Sequence, residues 1–158
     1  MRKSALQILP NVYQLTTRYT NIMLIVEEEL TLIDTGFRSS SVQVIDFIHS
    51  LGRSMADISL IIITHGHFDH VGGLPELRSL TAAKVAAHKA EITDTESPLH
   101  YPRVTRGLLR IPPFSALRST LSVKPSEVDI PLVGEEILKP LGGLQVIHTP
   151  GHTPGSIS

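Results

Sequence analysis

A short segment in the first half of the chain carries several side chains that can bind a metal ion. Residues 64–73 read THGHFDHVGG, and four candidate ligands fall within six positions: His65, His67, Asp69 and His70. An apolar strand is expected just before this segment and a helix just after it. Imidazole and carboxylate groups together suit zinc, with iron or manganese as alternatives.

The spacing of these four residues favours two neighbouring metal ions over one. His65 and His67 are two residues apart, so at a strand end their side chains point to the same side and can share one ion. Asp69 and His70 are adjacent, and we expect their side chains to diverge from each other and to face a second ion.

A second turn-rich segment near the end of the chain adds another imidazole. Residues 149–156 read TPGHTPGS, follow an apolar strand, and place His152 between two Pro-Gly steps. With His65 and His67 it would complete a three-histidine site with one open position, which is a catalytic pattern. A water in that position would have its pKa lowered toward about 7. The alternative, turn histidines without a metal, is disfavoured by the density of the cluster.

Composition excludes several other kinds of protein. The chain has 158 residues and no cysteine, so it fits a single domain without disulfides or thiolate ligands. Its formal net charge of −1 gives no general attraction to nucleic acid or to an anionic membrane. The longest apolar run, residues 58–63, is too short to span a bilayer. Because Gln7, Pro10 and Asn11 interrupt the apolar residues that follow the basic N-terminus, no signal peptide is expected and a cytoplasmic location is predicted.

The elements that must position these residues alternate as in an α/β layer. Hydrophobic periodicity and turn signals predict strands over residues 12–16, 21–27, 30–33, 57–63, 84–88, 128–132, 137–138 and 144–149. The same signals predict helices over about 42–51, 74–80 and 89–93. Residues from about 96 to 127 are rich in proline and arginine, and we interpret them as an insert. It is either a lid over the site or a solvated connector.

Three motifs together resemble the metallo-β-lactamase superfamily over nearly the whole chain. THGHFDHVGG looks like that family's HxHxDH signature, and LIDTG at 32–36 and TPGHTPGS resemble its flanking motifs. The resemblance implies a four-layer αβ/βα sandwich with the metals at one edge of the sheets. It assigns His65, His67 and His152 to the first metal, and Asp69 and His70 to the second. Asp69 would also be the proton shuttle.

The resemblance also gives a role to Asp34, which would orient a ligand histidine. The alternative is an aspartate that closes the turn before Gly36. The remaining histidines are expected to be structural or solvated, although two of them, His88 and His100, would approach the site if the insert folds over it. These remaining residues are His49, His88, His100 and His148.

The chain departs from the family pattern at its end. In the family, a later aspartate bridges the two metals and a still later histidine completes the second site, and neither has a counterpart before Ser158. We therefore expect a truncated chain with only the N-terminal half to two-thirds of the sandwich. Weak occupancy of the second metal position follows from this. An uncovered sheet also predicts a homo-oligomer.

The resemblance implies a metal-dependent hydrolase that uses metal-activated water on a small ester, thioester or lactone. One alternative is a non-catalytic metal-binding or oligomerising fragment of such an enzyme. A nucleic-acid-processing member is disfavoured, since it would need a basic face that the near-neutral charge does not provide. The expected partner is a small-molecule substrate, with neither nucleic acid nor membrane.

Overall fold

The computed structural model describes residues 5–17, 20–91 and 127–158 of the chain. These residues form a seven-stranded sheet, a two-stranded hairpin and three α-helices. The sheet strands, which neighbour one another in chain order, are β1 (Ala5–Leu9), β2 (Val12–Thr16), β3 (Asn21–Val26), β4 (Leu30–Ile33), β5 (Ile58–Ile63), β6 (Lys84–His88) and β7 (Ile130–Leu132). The remaining elements are α1 (Ser41–Ser50), α2 (Phe68–Val71), α3 (Leu74–Ser79) and the hairpin strands β8 (Ile137–Leu138) and β9 (Leu144–Gln145).

The sheet changes from antiparallel to parallel pairing at its middle. β1 to β4 form an antiparallel meander. From β4 onward, each strand pairs in parallel with the next. Parallel neighbours need a crossover connection. Here α1 connects β4 to β5, and α2 and α3 connect β5 to β6. The predicted α/β class is therefore confirmed.

The side chains of β5 belong to two hydrophobic clusters, one on each face of the sheet. Successive side chains of a strand point to opposite faces of the sheet. Ile61 and Ile63 join the larger core, where they pack with Val44 of α1 and Leu77 of α3. Ile62 lies in a smaller cluster on the other face. Since burial of each such side chain contributes about 1.5–3 kcal/mol, the strand is anchored from both sides.

The chain that follows β7 packs against part of the second face of the sheet. The smaller cluster combines sheet residues with residues from this last segment: Ile62, Ala86, Leu132, Val146 and Ile157. The end of the chain is held by backbone pairing, because Ile147 N–H donates to Ser158 O at 2.8 Å and Ser158 N–H donates to Ile147 O at 2.9 Å. These contacts close the base of the loop that carries His152, and Ile157 N–H, which donates to Thr64 O at 3.0 Å, joins that base to the chain just after β5.

The structure differs from the predicted elements in several places. The helix α2 was not predicted, and the predicted helix over 89–93 is a 3₁₀ turn, Lys89–Glu91, as far as the structure describes it. No strand is predicted before residue 12, yet β1 pairs with β2. The predicted strand over 144–149 ends at Gln145, because Val146 N–H bonds to Glu136 O and Ile147 pairs with Ser158. The predicted insert lies outside the described residues except for Glu127. In the described part of the chain, no helix is long and apolar enough to cross a bilayer.

The parallel strands bring polar residues to one edge of the sheet. Because β4, β5 and β6 run in the same direction, their carboxyl ends meet at that edge, where ligands bind in open α/β sheets. Asp34 follows β4, and His65 lies just beyond the end of β5. A 3₁₀ turn, Lys89–Glu91, follows β6. Topology alone thus gathers these side chains in one place.

Candidate metal centre

Three imidazoles from two distant loops converge at this edge. His65, His67 and His152 each offer one nitrogen, and these three atoms lie within 4.8 Å of one another. The ring centroids of His67 and His152 are 4.5 Å apart, and each ring lies 4.8 Å from that of His65. His65 is buried, His67 is partly buried and His152 is exposed, so the cluster opens to solvent on the side of His152.

Hydrogen bonding fixes the proton position on His65. The Thr64 hydroxyl has a single hydrogen, which it donates to Asp34 Oδ2 at 2.7 Å. The hydroxyl oxygen therefore accepts the 3.1 Å hydrogen bond from His65 Nδ1–H. His65 Nε2 is left without a proton, and its lone pair is available to a metal ion.

Asp34 accepts three hydrogen bonds in this network. The carboxylate is buried and accepts from Thr64 N–H, from the Thr64 hydroxyl and, at 2.7 Å, from His70 Nδ1–H. Its backbone lies in the left-handed region with φ 62°, which is uncommon for a residue other than glycine. The structure thus places Asp34 against one predicted ligand, His70, directly and against another, His65, through Thr64.

Asp69 and His70 lie together beside the three-histidine cluster. Both belong to α2, and His70 Nε2 is 3.8 Å from Asp69 Oδ2. The expectation that these adjacent side chains diverge was wrong. Neighbours in a helix are separated by only about 100° around its axis, so long side chains can still meet. The His70 ring centroid is 3.9 Å from that of His65, so Asp69 and His70 lie directly next to the three-histidine cluster.

Burial and charge favour the neutral form of two of the candidate ligands, His65 and His67. Burial first, and then the charge of His70, lowers the pKa of His65 to about 4, although Asp34 opposes the shift. Burial and the charge of His152 lower the pKa of His67. Burial also acts to lower the pKa of His70, but the hydrogen bond to Asp34 and the charges of Asp34 and Asp69 raise it overall. Neutral imidazole is the form that binds metals.

One buried atom tests whether these residues fit a metal ion. His65 Nε2 is buried and has no hydrogen-bond partner among the described residues. Buried polar nitrogens are almost always satisfied, so an unpartnered one needs an explanation. A cation coordinated by His65, His67 and His152 would satisfy it. Imidazole donors with an adjacent carboxylate are a set that zinc accepts. The residues therefore fit the metal that the sequence motifs imply.

Glu91 is a site residue that the sequence motifs do not reveal. Its carboxylate is buried and accepts Gly66 N–H at Oε2 and Gly155 N–H at Oε1, each at 2.7 Å. Its partners are backbone amides, which leave no trace in a residue pattern. Its position in the sequence was the available indication, because Glu91 follows the carboxyl end of β6, which lies at the same edge of the sheet as the ends of β4 and β5.

The other histidines within the described residues lie apart from the cluster. His88 is buried and stacks on His148, with ring centroids 4.1 Å apart and an angle of 11° between the planes. His88 Nδ1 accepts Ala90 N–H, and His148 Nε2 lies 2.9 Å from Pro154 O. His49 is exposed on α1, and His100 lies outside the described residues.

The sequence of this chain is similar to a known family of proteins. Residues 15–158 match the family model of the metallo-β-lactamase superfamily. The probable metallo-hydrolase YflN of Bacillus subtilis is 27% identical over 161 residues, which cover 93% of this chain and 58% of YflN. A hydroxyacylglutathione hydrolase of Ectopseudomonas mendocina is 56% identical over 34 residues, covering 22% of this chain and 13% of that protein.

Solved structures with a similar fold include metallo-β-lactamases. The subclass B3 metallo-β-lactamase BJP-1 of Bradyrhizobium japonicum superposes with a TM-score of 0.74 at 28% identity, covering 98% of this chain and 55% of that one. The chain spans about half the length of the curated relatives it matches. The converging histidines, the shared architecture and the match over residues 15–158 lead to one conclusion: the chain belongs to the metallo-β-lactamase superfamily.

Proposed function

We propose that the chain binds a divalent transition metal, zinc first among them, through His65, His67 and His152, and that it is a metal-dependent hydrolase. One observation carries the proposal: the buried, unpartnered Nε2 of His65 belongs to a group of three imidazole nitrogens within 4.8 Å of one another. Three histidines leave a fourth position of a tetrahedral ion open, as in catalytic zinc sites. Iron and manganese are the alternatives for the same donor set.

A second ion would be held by Asp69 and His70. Two protein ligands are few for tight binding, so we propose weaker occupancy at this position. The centroids of the His65 and His70 rings are 3.9 Å apart. This short distance supports two neighbouring metal positions, one beside each ring.

Bound at this site, a divalent ion supplies Lewis acidity to the attacking water and to the substrate carbonyl. The residues of the chain do the remaining work. Asp34 keeps Nδ1 protonated on His70 directly and on His65 through Thr64, so that Nε2 of each ring is the donor. Asp69 is partly exposed beside His70. It is positioned to accept a proton from the attacking water and to return it to the leaving group.

The proposed substrates are small esters, thioesters or lactones. The name of the E. mendocina relative, a hydroxyacylglutathione hydrolase, supports an acyl group as the point of attack. A small-molecule partner without nucleic acid or membrane, and a cytoplasmic location, stay predictions from the sequence.

Metal titration combined with a panel of acyl substrates tests the proposal. We expect the metal-free chain to take up at least one equivalent of Zn²⁺ and to gain hydrolytic activity with it. His65→Ala should weaken Zn²⁺ binding by at least 100-fold, since it removes the buried donor. His49→Ala, an exposed histidine on α1, is the matched control and should bind as the wild type does. Equal binding by both variants would overturn the proposal.

A non-catalytic metal-binding or oligomerising role is the second candidate. Two points favour it: Asp69 and His70 are the two ligands proposed for the second position, and Leu6, Leu9 and Ile137 are 64%, 60% and 74% exposed. Exposed apolar side chains of this size favour self-association. A chain that binds stoichiometric Zn²⁺ but hydrolyses none of the panel would support this role over catalysis.

A further inference from the structure

The two loops that supply the three histidines are more than 80 residues apart in the chain. His65 and His67 lie directly after β5, whereas His152 lies in the loop over residues 149–156. Their nitrogens can share one ion only if the two loops keep a fixed distance. Errors of about half an ångström are enough to impair a metal site. Some group must therefore set that distance.

Glu91 contacts the backbone of both loops with a single carboxylate. Oε2 accepts the N–H of Gly66, the residue between His65 and His67. Oε1 accepts the N–H of Gly155, three residues beyond His152. Both distances are 2.7 Å, at the short end expected of charge-assisted hydrogen bonds. Because Glu91 is 4% exposed, water competes little for these oxygens.

The backbone of the second loop is shaped to approach this carboxylate. A Cβ added at Gly155 would lie 2.7 Å from both Cγ and Oε1 of Glu91 and 2.9 Å from His88 Nδ1. Real Cβ atoms do not come so close, so any larger residue would push the loop away from Glu91. Glycine at this position is what allows the 2.7 Å hydrogen bond to form.

We propose that Glu91 is a positioning residue that holds the two histidine-bearing loops in register for metal binding. The inference rests on the proposed metal site. Glu91 would not contact the ion; it would act through the amides that flank the ligands. The loops are also joined by Ile157 N–H to Thr64 O at 3.0 Å, so loss of the carboxylate should loosen the site without dispersing it.

The test is Co²⁺ titration of the 158-residue chain, with chelator competition for the affinity and visible absorption for the ligand geometry. Glu91→Gln keeps the size of the side chain but turns one acceptor into a donor that faces a backbone N–H. We expect it to weaken binding about 10- to 100-fold, as loss of groups that orient ligands does elsewhere. The d–d bands of bound Co²⁺ should also shift or lose intensity. Gly155→Ala should have the same effects.

Glu136→Gln is the matched control. Glu136 also accepts backbone N–H groups, from Val133, Gly134 and Glu135, but in a turn that carries no ligand. This variant should lose some stability without changing the affinity or the spectrum. Thermal unfolding of each metal-free variant separates the two effects.

Three results would count against the inference. If wild type binds no Co²⁺, the proposed metal site and this inference both fail. If wild type binds but Glu91→Gln keeps its affinity and spectrum, the inference about Glu91 alone is overturned. Should Glu91→Gln fail to fold, Gly155→Ala decides, and wild-type binding by that variant overturns the inference.

Discussion

At the scale of single residues, the proposed ligands lie in segments that are hydrogen-bonded to other polar groups of the chain. His65, His67 and His152 stand in short segments whose residue types are informative on their own. The groups that position them are not visible in that way. Thr64 and Glu91 act through one hydroxyl and two backbone amides, and those contacts exist only after the sheet has brought distant segments together.

Asp34 gives the sharpest prediction at this scale. Whichever way the amide of Asp34→Asn is turned, at least one of the three donors that now meet a carboxylate oxygen faces an NH₂ group. Asparagine tolerates the left-handed backbone at this position, so the variant adds little strain. We expect a loss of about 1–3 kcal/mol in the unfolding free energy of the metal-free chain. Zn²⁺ affinity should fall about 10- to 100-fold.

Urea denaturation and Zn²⁺ titration measure these two effects separately. Asp46→Asn, an exposed carboxylate on α1, serves as the control and should change neither quantity. Unchanged Zn²⁺ affinity in Asp34→Asn would leave the turn-closing role as the better explanation of this residue.

At the scale of elements, hydrophobic pattern predicted most of the sheet. Runs such as residues 58–63 are apolar on both faces, which is typical of a buried parallel strand. β1 was missed because Leu6, Ile8 and Leu9 are exposed, so no buried alternation marks the strand. The end of β9 was missed because a change of backbone partner, from β8 to Ser158, is a tertiary event without a local signal.

A substitution in β5 is expected to have the largest effect on the stability of the chain. Ile61 is fully buried in the larger core, so Ile61→Ala removes buried methyl groups and leaves a cavity between the sheet and the helices. We expect a loss of about 2–5 kcal/mol, measured by urea denaturation of the metal-free chain. Val42→Ala, at a 59% exposed position on α1, should stay within about 0.5 kcal/mol of wild type. A loss below 1 kcal/mol for Ile61→Ala would contradict the packing described above.

At the scale of the whole molecule, the exposed edge of the sheet is the feature that bears most on self-association. β1 is an outermost strand of the sheet, and Leu6 and Leu9 on it are 64% and 60% exposed. An apolar edge strand offers free backbone groups to a second chain.

The sequence motifs predicted the family and the α/β class of the whole molecule. The residues of about 96–127 lie almost wholly outside the described part of the chain, so the hypothesis that they form a lid stays a prediction.

Self-association is expected to depend on this edge. The double variant Leu6→Lys, Leu9→Lys should be monomeric at concentrations where wild type forms dimers or larger species, because charge on an edge strand opposes pairing between chains. Light scattering coupled to size-exclusion chromatography measures the mass directly. Val42→Lys, which places the same charge on α1, should leave the assembly unchanged. A monomeric wild type would remove the basis for an oligomer.

The central claim is that two distant loops hold one metal ion between three imidazoles. A crystal structure of the Zn²⁺-loaded chain, with anomalous scattering recorded at the zinc edge, tests it most directly. We expect an anomalous peak about 2.0–2.1 Å from one nitrogen each of His65, His67 and His152. A peak at some other group of residues, or no peak at these three histidines in a zinc-saturated crystal, would contradict the claim.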